Sequence, residues 1–106
     1  MAKLTKYQKL LIERLKDREE AVAYLNAALQ ESLKNNPESR NLFLVALRNV
    51  AEAQGGLGQL AKQTGLSRES LYKTLSPAGN PTWHTLLSLS DVLGFSFLVD
   101  FSQAQR

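Results

Sequence analysis

Cysteine is absent from these 106 residues and histidine occurs once, as His84. Without thiols there is no disulfide framework and no thiolate site for zinc, and a lone His builds no metal cage. No metal and no cofactor is therefore expected. No apolar run approaches the roughly 20 residues that cross a bilayer. The mixed opening Met1-Ala2-Lys3-Leu4-Thr5-Lys6-Tyr7 lacks the layout of a secretory leader. A cytoplasmic protein without a membrane partner is the expectation. The acids, from Glu13 to Asp100, form no recognisable pair, and no glycine-rich loop is built to cradle phosphates, so no enzyme and no catalytic residue is expected. Excess charge is also small. The net charge is +3, too mild to announce a nucleic-acid binder by itself, although residues 1–18 hold +4 of it and the remainder sums to −1.

What is present describes one ordinary globular domain, 43% hydrophobic and 22% charged, long enough to bury a modest core. Apolar residues fall at helical spacings along most of the chain. Thr5 to about Lys16 carries Tyr7, Leu10, Leu11 and Leu15 opposite a basic face. Asp17-Arg18-Glu19-Glu20 has the form of a capping box and opens a helix to about Asn35, striped by Ala21, Leu25, Ala28, Leu29 and Leu33. Asn36 and Pro37 are read as the cap and first residue of a third helix through Ala51, ended by Gly55-Gly56. Two short pieces follow, about Leu57–Gln63 and Ser67–Leu75. After the turn-rich Ser76-Pro77-Ala78-Gly79-Asn80-Pro81 comes a last helix, about Thr82–Val92, stopped by Gly94. These stripes read as core packing, and Trp83 as a packing residue; His84 reads as a surface residue.

The chemistry sits in Leu57 to Leu75, whose residues have the physics of a helix-turn-helix. Ala61 is small where two helices press together. Gly65, four residues later, can take the left-handed conformation of a tight turn. Leu66 plugs the core beneath it, Ser67 caps the next helix, and Leu71 and Leu75 anchor that helix. Arg68, Glu69, Ser70, Tyr72 and Lys73 are then left for the groove. In this motif the second helix enters the major groove with its N-terminal end. Arg68 suits a guanine edge, Glu69 a cytosine N4 or the orientation of Arg68, and Ser70, Tyr72 and Lys73 suit phosphates or base edges. Asn80 as a cap, with Pro81 and Thr82, would leave helix-end N–H groups free for a phosphate. The alternative is a plain helical hairpin with a polar outer face.

Residues 17–31, 43–51, 65–73 (Gly65-Leu66-Ser67-Arg68-Glu69-Ser70-Leu71-Tyr72-Lys73) and 76–81 resemble the "probable addiction module antidote" family. These are HigA-like, Xre-type antitoxins, also described as DNA-binding prophage proteins. The resemblance covers about residues 17–101. It implies an all-α, lambda-repressor-like five-helix body with one short C-terminal β-strand; the helix at 1–16 is an extra N-terminal one, not the opening of most family members. It also implies autoregulation of an operon encoding a small RelE/ParE-like toxin. Leu57 stands where many Xre-type domains carry a phosphate-touching Gln, so that contact is missing or supplied by Gln59. Three domains of the chain follow: a basic helical extension at 1–16, the DNA-binding unit with its dimerisation strand at 17–101, and a loose tail at 102–106. The extension could pack, lie along DNA or contact the toxin.

From Phe95 the period becomes two, putting Phe95, Phe97, Val99 and Phe101 on one side of a strand. A lone strand has unpaired edges. Pairing with its twofold mate would make a homodimer with recognition helices about 34–36 Å apart, matched to a palindromic double-stranded DNA operator; the alternative is a tail folded on its own core. Two functions are thus expected. The first is a dimeric, sequence-specific transcriptional regulator, the antitoxin and autorepressor of a toxin-antitoxin operon. The second is a toxin-neutralising interaction module, or a stand-alone prophage-type regulator, in which DNA binding is secondary.

Overall fold

The structure, a computed structural model, describes residues 4–34 and 36–97. It is all-helical there, with α1 at Lys6–Arg14, α2 at Arg18–Ser32, α3 at Leu42–Ala53, α4 at Leu57–Thr64, α5 at Arg68–Thr74 and α6 at Trp83–Leu93. The helix α3 is the hub. It packs along α2, supports α1 and meets α4, which in turn rests on α5 and α6. Its Leu44, Ala46, Leu47, Val50 and Ala51 are buried, and Leu15, Leu25, Leu57, Leu60, Leu71, Leu75 and Leu89 close around them.

Most boundaries follow from local chemistry. Thr5 caps α1 in a reciprocal box with Gln8. Asp17 caps α2 by accepting from the N–H groups of Glu19 and Glu20. Only that half of the expected box forms, because the Glu20 carboxylate pairs with Arg14 at 3.2 Å instead. Gly65 and Gly94 end α4 and α6 with left-handed backbones, φ +79° and +80°. Two expected caps are displaced. Asn36 accepts from Glu38 N–H in a local turn, and the helix begins only at Leu42, after Asn41. Asn80 does not cap α6; Thr82 does, accepting from Thr85 N–H.

Three packing expectations also change. Tyr7 and Leu10 of α1 are exposed, as is Leu33 just past α2, at 69%. Leu33 is the C-cap of α2, beyond its last turn, and no described element covers it. Trp83 is not a packing residue of the interior; it is 64% exposed, although its ring leans on Phe97. His84 is exposed as expected.

Side chains distant in sequence tie the ends together. Gln54 donates to the carbonyls of Leu15 and Lys16, holding the α1–α2 corner against α3. Arg18 donates to the carbonyls of Leu93 and Gly94 at 3.4 and 3.3 Å. The helix α6 has no cation in its own last turn, so this guanidinium supplies the positive charge favoured at a helix C-terminus. Glycine at 94 suits its left-handed φ of +80°, and a Cβ there would stand 2.8 Å from Arg18 Nη2, so the guanidinium would have to swing aside. Both bonds are long and exposed, so Arg18→Ala is expected to cost on the order of 1 kcal/mol. For a domain of this size that lowers the melting temperature by roughly 4–8 °C, and an unchanged calorimetric melt would refute the clamp.

Candidate nucleic-acid interface

The pair α4–α5 is held by short-range bonds at its turn. Gly65 N–H donates to Ala61 O at 2.9 Å, and Thr64 Oγ1 donates to Leu60 O at 2.8 Å. Leu66 tucks against the core. Ser67 Oγ accepts from Ser70 N–H at 3.0 Å and so opens α5. Leu71 and the C-cap Leu75 are completely buried. These inward anchors fix which side of α5 faces out.

Arg68, Glu69, Ser70 and Lys73 are exposed. Glu69 and Lys73, four apart, share the outer face of α5, and Arg68 stands at its first position beside the free end. Arg68 and Glu69 make no ion pair with each other; among the described residues, the ion pairs join Arg14 to Glu20, Lys16 to Glu13 and Lys34 to Glu31. The Arg68 guanidinium is therefore not occupied by Glu69. Ser70 Oγ receives a hydrogen bond from Ser67 Oγ, which leaves its own hydroxyl hydrogen available. Tyr72 departs from the other four. It is half-buried on the flank of the helix, and its hydroxyl bonds Glu52 Oε2 of α3 at 3.3 Å. That bond braces α5 against the body.

The other expected contacts lie on α4 and at the start of α6. Gln59 is exposed on α4 and lines a small cleft of about 90 Å³ with Arg18, Gln54 and Gln63. Lys62, next to the turn and exposed, is a cation that sequence reasoning passed over; its place three residues before Gly65 was the available signal. Asn80 and Thr82 are exposed. Thr82 Oγ1 is engaged at the start of α6 with Thr85 N–H and Oγ1. Asn41 is a second residue that sequence reasoning passed over, and it had no local signal. Its amide donates to Pro77 O at 2.7 Å and Gly79 O at 3.0 Å, fixing the turn that carries Asn80.

Of the expected strand, residues 95–97 are neither strand nor helix. Phe95 N–H donates to Ser90 O in the α6 stop. Phe95 and Phe97 pack edge to face at 5.4 Å, and both meet Phe43 of α3. Local bonding to α6 and these rings draw the segment onto the body. Val99 and Phe101 lie outside the described residues.

No helix among the described residues is long and apolar enough to cross a membrane. No solved structure matches the chain. An uncharacterized protein of Haemophilus influenzae is 40% identical over 91 residues, covering 86% of this chain and 87% of that protein. The family described as "Probable addiction module antidote protein" matches residues 4–100, nearly the whole chain. The chain belongs to this antidote family.

Proposed function

We propose that this protein is the antitoxin of an addiction module and represses its own operon by binding operator DNA as a dimer. The observation that carries the DNA-binding part is the tip of α5. Arg68, Glu69, Ser70 and Lys73 project together from a helix whose opposite side is locked down by Leu71 and Leu75. A rigid scaffold offering a cation and a carboxylate at a helix N-terminus suits base-edge reading in a major groove. Lys62, Gln59, Asn80 and Thr82 are also exposed and suit the phosphates, while Tyr72 acts from behind as a brace. A helix-turn-helix of the lambda-repressor, Xre-like kind is the arrangement this reading requires, and it includes no catalytic step and no cofactor. The dimer would form through the aromatic corner of Phe43, Trp83, Phe95 and Phe97. Trp83 and the neighbouring Leu87, one turn later, are both exposed there.

The test is a gel shift on the DNA upstream of the gene. Arg68→Ala is expected to weaken specific binding by about 1–3 kcal/mol and to relax base preference at one position per half-site. Because Arg68 is exposed, the urea midpoint should not move. Binding of the parent should fall steeply with salt. An Arg68→Ala protein that retains parental affinity and preference removes α5 as the reader. A second reading, toxin neutralisation with DNA binding secondary, is favoured by the family's name and predicts that same silent outcome.

A further inference from the structure

The helix α1 exposes more apolar surface than its own packing uses. Tyr7 is 74% and Leu10 59% exposed, and the two lie three residues apart on one side of the helix. Single exposed apolar residues are ordinary, but a connected stripe leading into a cavity marks an interaction site. Here the stripe continues through Leu11, one turn beyond Tyr7, into a cleft of about 270 Å³ between α1 and α2, lined by Leu15, Ala23 and Tyr24 and by the ion-paired Arg14 and Glu20. The Tyr24 wall is fixed, because its hydroxyl accepts from Asn49 Nδ2 at 2.8 Å. The stripe is presented ready-formed, since the Thr5–Gln8 box holds the first turn of α1; such preorganisation lowers the entropic cost of binding.

Charge and shape choose the occupant. Lys6 and Arg14 stand one turn either side of Leu10, and α1 carries Lys6, Lys9 and Arg14 against Glu13. A second copy docking by a twofold would set this basic edge against itself. Nucleic acid would use the cations and leave Tyr7 and Leu10 wet. A bilayer surface is flat and would leave the cleft unfilled. An amphipathic helix lying in the groove, with apolar residues at i, i+3/i+4 and i+7 and carboxylates beside them, satisfies the stripe, the cleft and the cations together. Its acids would meet Lys6 and compete with Glu20 for Arg14.

We propose that the α1–α2 cleft is where this antidote grips its toxin, by receiving an acid-flanked amphipathic helix of that protein. The inference rests on the antitoxin reading and adds to it the surface and the chemistry of the partner. The probe is the product of the reading frame adjacent to this gene, titrated calorimetrically against the full-length chain. Tyr7→Glu and Leu10→Glu are each expected to weaken the complex by at least about tenfold, and Lys6→Glu to weaken it while flattening its salt dependence. Val22→Glu, on the other side of α2, should bind as the parent does. All four positions are exposed, so melting temperature and operator gel shifts should stay parental. Parental affinity in the Tyr7 and Leu10 variants overturns the docking surface and leaves the antitoxin reading intact. A parent chain that does not bind the product overturns both. Sedimentation showing that Tyr7→Glu dissociates a homodimer gives the face to a second copy and overturns the proposal. So does capture of phosphatidylglycerol–phosphatidylcholine vesicles that Tyr7→Glu abolishes while toxin binding persists.

Discussion

Truncating Leu71 to alanine is expected to destabilise the protein by about 2–5 kcal/mol, a large part of the stability of a domain this size. Leu71 is fully buried and lies in the middle of α5, which has only seven residues. A helix that short has no stability of its own in water and exists because its apolar side is packed. Leu71 is the buried residue of α5, and the core around a truncated leucine relaxes only partially into the space. Urea unfolding followed by far-ultraviolet circular dichroism should show a much lower midpoint. Tyr72→Phe is the contrast. It keeps the ring and loses one long bond to Glu52, so it should cost no more than about 1 kcal/mol. Should Leu71→Ala unfold at the parental midpoint, α5 is held by something other than its buried leucines, and the outward direction of Arg68 loses its basis. Specific DNA binding, by contrast, is assigned to Arg68, whose removal should leave the midpoint where it was.

How much of this was legible beforehand depended on the range of the interaction. The Ser67 cap, the Gly65 and Gly94 stops and the buried faces of α3 and α5 depend on residues within one turn of each other, and composition with spacing reveals them. Competing caps close together were not separable. Asn36 precedes the observed start of α3 at Leu42, and Asn80 and Thr82 both precede α6; the starting points fell to where the chain turns, which packing decides. Thr82 is the cap because α6 begins at Trp83, and its hydroxyl oxygen then accepts from Thr85 N–H. The stripe on α1 has good helical period, yet period records only that a face is apolar, not that the fold has anything to lay on it. Leu15 found the core, whereas Tyr7 and Leu10 did not. The clamps from Arg18, Gln54 and Asn41 reach carbonyls at least 36 residues away, and no pattern in one sequence announces such a pair. For the candidate interface, Arg68, Glu69, Ser70 and Lys73 could be placed on the free side because Leu71 and Leu75 fix the rotation of α5. Tyr72 could not, because a flank residue is claimed by whichever neighbour, here Glu52, lies beside it.

Gly79→Ala should be the most damaging change outside the core, at about 1–3 kcal/mol or somewhat more. The cause is contact, not backbone angle. A Cβ at Gly79 would stand 2.0 Å from the Thr74 carbonyl oxygen, 2.7 Å from its carbon and 3.0 Å from Lys73 O. These are backbone atoms at the end of α5, and they cannot swing aside as a side-chain tip would. Nor can the turn itself retreat freely. Gly79 N–H donates to Ser76 O at 2.9 Å, and Asn41 holds the carbonyls of Gly79 and Pro77. Either the last turn of α5 unwinds, exposing Leu75, or the turn lifts and Asn41 loses its partners. The two routes can be told apart. Asn41→Ala alone removes two bonds whose carbonyls are near water, and should cost about 1 kcal/mol. If alanine at 79 lifts the turn, Asn41 has already lost its bonds, and the double variant should be little worse than Gly79→Ala. If α5 unwinds instead, the two costs should add. Thermal melts of the two single variants and the double variant decide this. A Gly79→Ala protein that melts with the parent would mean that the close approach of this turn to α5 is not a constraint of the fold.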